Sequence, residues 1–122
     1  MRDFRKLKVW EKGHRLTLDV YEVTVTFPSE ELYGLTSQMR RACAAIPANV
    51  AEGCGRGSNA DLARFLQIAL GSASELENHL LHAQDLAFLK STDYVRLTRE
   101  VKELKRMLTS FVKSLKSFAD NT

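Results

Sequence analysis

The sequence predicts an all-α protein, an up-down-up-down four-helix bundle that forms one domain over residues 1–122. Apolar residues recur at steps of three and four in four segments, and no run alternates with a period of two. Short polar links separate these segments, so consecutive helices should pack antiparallel. A chain of 122 residues, of which 44% are hydrophobic and 27% charged, is long enough for one core and too short for two.

The first helix is predicted over about residues 8–27. Pro28 should end it, because the residue before a proline is disfavoured in the helical region. Its apolar arc is wider than one bundle core requires, so we expect part of the arc to contact another subunit. The inward row is Val9, Leu16, Val20, Val23 and Phe27, and the row beside it is Trp10, Leu18, Tyr21 and Val25.

The second helix is predicted over about residues 36–52, with Thr36 as its N-cap and Gly53 as its C-cap. Pro47 lies inside it, so we expect one backbone hydrogen bond to be lost and the helix to kink. Cys43 is expected in the core, whereas Cys54 is expected to be accessible to solvent. The inward row is Met39, Ala42, Cys43, Ile46 and Val50.

The third and fourth helices are predicted over about residues 58–87 and 92–118. Ser58 with Asp61 three residues later indicates the start of the third helix. Its inward row is Leu62, Leu66, Ala69, Ala73, Leu76, Leu80, Ala83 and Ala87. The inward row of the fourth is Tyr94, Leu97, Val101, Leu104, Leu108, Phe111, Leu115 and Phe118.

Three long stretches carry a family resemblance. They are residues 27–41 (FPSEELYGLTSQMRR), 46–53 (IPANVAEG) and 68–77 (IALGSASELE), and they closely resemble the 23S rRNA intervening-sequence proteins, a bacterial four-helix-bundle family. The resemblance implies a homopentameric barrel of bundles. It also implies similarity to the accessory protein of diversity-generating retroelements, which works with a reverse transcriptase and nucleic acid. It implies no enzyme activity.

The formal net charge of +3 conceals an uneven distribution along the chain. Residues 1–15 carry six basic and two acidic groups, and residues 96–116 carry seven basic and two acidic groups. Residues 16–95 carry five basic and ten acidic groups. An up-down bundle brings both chain ends and the glycine-rich turn after Glu52 to one end, so we predict a basic pole there. The opposite, acidic pole should hold Glu30, Glu31, Asp85 and Asp93.

The basic pole is the predicted binding surface for nucleic acid, with RNA as the favoured ligand. Basic side chains there would contact phosphates and release the counterions condensed on them. Phe4 or Trp10 would either stack on bases or anchor the N-terminal segment to the bundle. The predicted phosphate contacts are Arg2, Arg5, Lys6, Lys8, Lys12, Arg56, Lys105, Arg106, Lys113 and Lys116.

Other polar side chains have structural interpretations. Arg96 with Glu100 and Arg99 with Glu103 have the spacing of ion pairs on one solvated helix face.

Four polar side chains lie on one face of the alanine-rich second helix, and we predict that they form a polar network within the bundle or across a subunit interface. Ligand binding is the alternative for this group, which is Arg40, Arg41, Asn49 and Glu52.

Two other functions remain open. A protein scaffold would use the apolar arc of the first helix to recruit a partner such as a polymerase. A metal-carboxylate enzyme would need Glu-x-x-His on two helices, and only Glu11 and His14 have that spacing. We therefore predict no catalytic residue, no metal ligand and no cofactor. A cytoplasmic protein without a membrane partner is expected, since neither a signal peptide nor a membrane span is evident.

Overall fold

Four α-helices make up most of the residues that the structure describes, which are residues 2–120 for the backbone and 2–117 for the side chains. In this computed structural model the helices are α1 (Lys8–Thr24), α2 (Leu35–Arg56), α3 (Asn59–Asp85) and α4 (Ser91–Asp120). Short 3-10 helices occupy Phe4–Lys6 and Ser29–Glu31. The described chain contains no β-strand, so the predicted all-helical fold is confirmed. None of its helices has an apolar stretch that could cross a membrane.

Consecutive helices run antiparallel. Only two residues join α2 to α3 and five join α3 to α4, which is too short for a crossover connection. The ion pairs between α1 and α4 show that these two helices are also antiparallel. Lys12 pairs with Glu100, whereas Asp19, which comes later in α1, pairs with Arg96, which comes earlier in α4. The N-terminus of α1 therefore lies at the same end of the bundle as the C-terminal half of α4.

The predicted inward rows form the core. Every such position on α2 and α3 is buried except Ala87, which lies beyond the end of α3. Val23, Tyr94 and Phe111 are half-buried at the edge of the core, and the side chain of Phe118 lies outside the described residues. Each large buried side chain stabilises the fold by about 1.5–3 kcal/mol. The largest are Met39, Ile46, Leu66, Leu76, Leu80, Leu97, Leu104 and Leu108.

α1 ends at Thr24, three residues before the predicted end. The Val25 N–H donates to the Glu22 carbonyl at 3.3 Å, so the last turn tightens and the Tyr21 carbonyl loses its usual helical donor. Arg40 on α2 donates to that carbonyl from Nη2 at 3.4 Å and to Thr24 Oγ1 from Nε at 2.9 Å. A cation from the neighbouring helix thus caps the negative end of α1.

Phe27 leaves α1 and closes one end of the bundle. Its buried ring lies against Phe88 in the link between α3 and α4, with 5.9 Å between ring centroids. Two backbone hydrogen bonds shape this link. The Ala87 N–H donates to the Gln84 carbonyl, and the Phe88 N–H donates to the Ala83 carbonyl. Ala87 adopts a left-handed conformation with φ of 63°, and α3 accordingly ends two residues earlier than predicted.

α2 begins one residue earlier and ends four residues later than predicted. Thr36 is buried in the first turn and is not the N-cap; the Glu31 carboxylate accepts from the Leu35 N–H at 3.2 Å instead. Gly53 is not the C-cap either, because the helix continues to Gly57, which has φ of 86°. Only glycine adopts that conformation without strain.

α2 continues through Pro47, which cannot donate a hydrogen bond to the carbonyl of Cys43. Thr17 on α1 lies beside that carbonyl, and its Oγ1 is 3.2 Å from Cys43 O and 2.8 Å from Gly13 O. A Cβ on Gly13 would lie 3.3 Å from Ile46 Cγ2 and 3.4 Å from Pro47 Cδ. α1 therefore lies close to α2 at the proline and brings a hydroxyl donor to the Cys43 carbonyl.

Gly53 allows α2 and α3 to meet closely where their hairpin turns. A Cβ at this position would lie 2.9 Å from Leu62 Cδ1 and 3.0 Å from Phe65 Cβ. The start of α3 agrees with the prediction, since Ser58 Oγ accepts from the Asp61 N–H at 3.1 Å. The glycine at 53 is thus required by helix packing and not by a helix end.

We expect Gly53→Ala to lower the free energy of unfolding by about 1–3 kcal/mol, because the added methyl group overpacks the hairpin. Gly55→Ala is the matched control, since nothing lies within 4 Å of a Cβ there. It should leave stability unchanged or raise it by up to about 1 kcal/mol through helix propensity. Urea denaturation measures both changes. Equal effects of the two variants would contradict the close approach at Gly53.

Candidate nucleic-acid interface

Two of the predicted phosphate contacts are engaged between helices. Lys12 forms ion pairs with Glu100 and with Glu103, the latter at 3.4 Å, and its side chain is 19% exposed. Lys105 donates from Nζ to Glu77 Oε1 on α3 at 2.9 Å and is 31% exposed. A phosphate would have to displace these carboxylates to reach either ammonium group. Lys12 and Lys105 are thus paired with carboxylates in this structure, and their contact with phosphates stays a prediction.

The glutamates of α4 face α1, and this overturns the predicted pairing along α4. Glu100 and Glu103 both contact α1, while Arg96 reaches across to Asp19 with 3.2 Å between Nη1 and Oδ2. Arg96 therefore does not pair with Glu100, and Arg99 does not pair with Glu103. Arg96 pairs instead with Asp19 on α1 and, at 3.5 Å, with Asp93 one turn earlier on α4, while Arg99 forms no ion pair with a described residue.

Arg5 and Arg56 form local, exposed ion pairs. Arg5 Nε is 3.2 Å from Asp3 Oδ1, and hydrogen bonds from the Arg5 backbone and side chain hold the pKa of that carboxyl below its usual range. Arg56 Nη2 is 3.4 Å from Glu52 Oε1, and the guanidinium also lies 5.1 Å from the centre of the Phe65 ring. Exposed pairs contribute about 0–1 kcal/mol, so a phosphate could compete for either arginine.

The other six predicted phosphate contacts are exposed and form no ion pair with any described residue. We call them the pole cations: Arg2, Lys6, Lys8, Arg106, Lys113 and Lys116. A groove between the N-terminal segment and α4 has Arg2 and Lys8 on one side and Ser110 and Ser114 on the other. The Arg2 guanidinium lies 5.6 Å from the centre of the Phe111 ring, so the two basic chain ends are adjacent.

The two aromatic candidates for base stacking pack against each other. The rings of Phe4 and Trp10 have centroids 5.1 Å apart, and Trp10 stacks on His14 at 4.8 Å. Both rings are half-buried against the core together with Leu7. This arrangement fits their alternative interpretation as the anchor of the N-terminal segment.

Sequence reasoning missed two exposed cations, Arg99 and Lys102, which form no ion pair within the described part of the chain. They continue the row of Arg106 and Lys113 along the solvent face of α4. The steps of three and four between these positions are visible in the sequence, but the spacing of Arg99 and Glu103 predicts an ion pair instead. We call the complete row the outer stripe: Arg99, Lys102, Arg106, Thr109, Lys113 and Lys116.

The predicted polar group on α2 does not form one network among the described residues. Arg40 caps α1 and lies 4.7 Å from the centre of the Tyr21 ring, whereas Arg41 is exposed. Asn49 Nδ2 donates to the Ala45 carbonyl of its own helix at 2.7 Å. Glu52, as described above, pairs only with Arg56. Asn49 and Glu52 thus bond within α2 and Arg40 bonds to α1, while a network across a subunit interface stays a prediction.

Nothing in the described structure resembles a metal or nucleophile site. No group of three or more His, Cys, Asp or Glu side chains lies close enough to hold a metal ion in the part of the chain described. Burial raises the pKa of the Cys43 thiol to about 12. Cys54 is also buried, at 3% exposure, and burial raises its pKa, so the expected accessibility of this thiol is wrong. Neither thiol has the exposed, acidified character of a reactive cysteine.

Fold and surface together define a helical-bundle protein with an exposed cationic end. The chain belongs to the family of 23S rRNA-intervening sequence proteins, whose sequence profile matches residues 5–110. This family is not an established enzyme class, which is consistent with a non-enzymatic protein.

The structure is also similar to a crystal structure of a protein of unknown function from the S23 ribosomal protein family of Bacteroides thetaiotaomicron. The TM-score is 0.77 and the sequence identity 24%, and the match covers 86% of this chain and 98% of that one. At this identity the likeness concerns the fold alone. No curated protein matches the sequence.

We expect Lys12→Gln to lower the free energy of unfolding by about 1–2 kcal/mol, because two carboxylates on α4 lose a partly buried partner. Lys8→Gln, one turn earlier on the exposed face of α1, should change it by less than about 0.5 kcal/mol. Chemical denaturation of both variants tests this. If they lost the same amount of stability, the ion pairs of Lys12 would contribute nothing to the packing of α1 on α4.

Proposed function

We propose that this protein is a non-enzymatic, homo-oligomeric scaffold that binds nucleic acid, with RNA as the favoured ligand, through its basic pole. The observation that carries the proposal is the set of six pole cations, which are exposed, close to one end of the bundle and not neutralised by described carboxylates. Phosphates bind such surfaces and release counterions on binding. The family name, which refers to an insertion in ribosomal RNA, supports RNA over DNA.

Self-association is supported by exposed apolar side chains on α1 and in the link that follows it, which we group as the apolar surface. Leu18, Tyr21 and Val25 recur at steps of three and four, and Leu18 is 58% and Val25 73% exposed. Leu32 and Tyr33, the latter 93% exposed, lie in the link to α2. A second copy of the chain would remove this surface from water. A homopentameric barrel, as the family resemblance implies, would repeat the basic pole five times around a ring and create a positive annulus.

The same apolar surface favours a second candidate function. If the protein were a monomer, Leu18, Val25 and Tyr33 would be available to a different protein. In that case the bundle would serve as a protein scaffold that recruits a nucleic-acid enzyme, such as a reverse transcriptase. The oligomeric state separates the two candidates, because self-association would occupy the surface that recruitment needs.

We expect the wild-type protein to bind a structured RNA hairpin in mobility-shift titrations, with affinity falling steeply between about 50 and 200 mM salt. The double variant Lys6→Gln/Lys8→Gln should reduce the salt slope, which is the slope of log K against log salt concentration, by about two in magnitude, since two phosphate contacts are lost. Arg41→Gln/Lys90→Gln removes the same charge from exposed positions outside the basic pole and should leave the slope unchanged. Absence of binding at low salt, or binding that is insensitive to salt, would refute the basic pole as a phosphate surface.

We expect light scattering after gel filtration to show one discrete oligomer. Val25→Glu should shift it toward the monomer, because a charge would be buried in the subunit contact. Val95→Glu is the control, since Val95 is an exposed apolar residue on α4 at 59% exposure and lies outside the apolar surface of α1. A wild-type monomer would exclude the oligomeric scaffold and favour recruitment of another protein.

A further inference from the structure

The outer stripe of α4 presents a row of positive charge without an acidic interruption. Its six residues occupy an arc of about 100° and extend for about 26 Å, at 1.5 Å of rise per residue. Between Arg99 and Lys116 no acidic side chain falls in this arc. Glu103 lies outside this arc, and its carboxylate is turned toward Lys12 on α1, a partner that it shares with Glu100. The stripe therefore offers five cations and one hydroxyl, all of them exposed.

The backbone that carries the outer stripe is held in place, because the opposite face of α4 is packed in the core. Leu97, Val101, Leu104 and Leu108 are completely buried. Cations spaced along a fixed helix suit a ligand whose phosphates are also fixed in space. In a double helix one phosphate charge occurs for about every 1.7 Å of axis, so a 26 Å row meets several phosphates without ordering the ligand. A single strand would lose conformational entropy on the same surface.

The outer stripe also lacks the groups that bind single strands. Proteins that hold single-stranded nucleic acid combine cations with aromatic side chains on which the bases stack. No described side chain of the stripe is aromatic. Among the described side chains of α4, Phe111 lies two residues from Thr109 and Lys113, but it is half-buried on another face of the helix and its ring is covered by Arg2. The stripe can contact phosphates but has no platform for unpaired bases.

We propose that the outer stripe binds the phosphates of a nucleic-acid double helix and does not read its bases. This inference rests on the proposed function and narrows its ligand from nucleic acid in general to a duplex. It also adds Arg99 and Lys102, which lie outside the predicted pole, to the binding surface. RNA and DNA duplexes share the phosphate chemistry, and they differ in the groove geometry that sets the distance between strands.

Fluorescence anisotropy with three labelled probes tests the ligand class. The probes are an RNA duplex of about 20 base pairs, a DNA duplex of the same sequence, and an unstructured single-stranded RNA of the same length, which all exceed the stripe in length. We expect at least one duplex to bind about tenfold more tightly than the single strand at equal salt. The difference between the two duplexes identifies which helical form fits the stripe.

A double variant tests whether the duplex binds at the outer stripe. Arg99→Gln/Lys102→Gln should weaken duplex binding and reduce its salt slope by about two, while single-strand binding changes less. Both positions are exposed and make no ion pair with described residues, so the fold should be unaffected, which thermal denaturation checks. Arg41→Gln/Lys90→Gln is the control with the same loss of charge, and it should leave duplex binding unchanged.

The outcomes separate this inference from the proposed function. If the single strand bound as tightly as both duplexes, or if the Arg99 and Lys102 variant bound duplex like the wild type, the duplex assignment would be overturned and the basic pole would remain. If the control variant lost as much affinity as the stripe variant, net charge and not the stripe would govern binding. If no probe bound at low salt, both the inference and the proposed function would fail.

Discussion

The close approach of α1 to α2 at Pro47 sets the orientation of the remaining helices. Proline deprives the Cys43 carbonyl of its helical donor, and the hydroxyl of Thr17 lies at 3.2 Å from this carbonyl. The glycine at position 13 eases this approach, since an added Cβ would lie 3.3 Å from Ile46 Cγ2. A buried carbonyl without a donor costs about 1–3 kcal/mol, so the rotation of α1 about its axis is strongly constrained. With Gly13 and Thr17 turned to α2, Lys12 and Asp19 face α4, and Leu18 and Val25 remain outside.

The rotation of α1 also decides which cations are paired with carboxylates and which are not. Because Lys12 faces α4, it draws Glu100 and Glu103 toward the groove between α1 and α4 and away from the solvent side of α4. Arg99 consequently has no carboxylate beside it on the described surface. The partly buried ion pairs between α1 and α4 use carboxylates of α4. The solvent side of α4 is therefore left with more positive than negative side chains. The net charge of +3 is therefore a poor guide to the surface, because it averages neutralised and exposed groups.

The sequence was sufficient for the features that depend on periodicity. The inward rows of α2, α3 and α4 were predicted almost residue by residue, because burial repeats with the helical period, and the Ser58 cap follows from a local hydrogen bond. The errors concern contacts between elements. Gly53 is typical of a helix end, yet its role is to let Leu62 approach α2. Likewise, the pairing of Lys12 and the burial of Cys54 depend on neighbouring helices, which no spacing within one segment can reveal.

The two proposed surfaces are compatible because they lie on different sides of the bundle. Tyr21 and its apolar neighbours are on the side of α1 next to α2, as the contact with Arg40 shows, whereas the outer stripe is on the solvent side of α4. Self-association through α1 would thus leave the stripe exposed.

One bundle offers few phosphate contacts, so its affinity for a duplex would be modest. Several bundles held in one assembly bind at a high effective concentration and can exceed the affinity of one copy by about 10²–10⁴, provided that their stripes reach the same duplex. Assembly would then provide the affinity for nucleic acid that no single copy has.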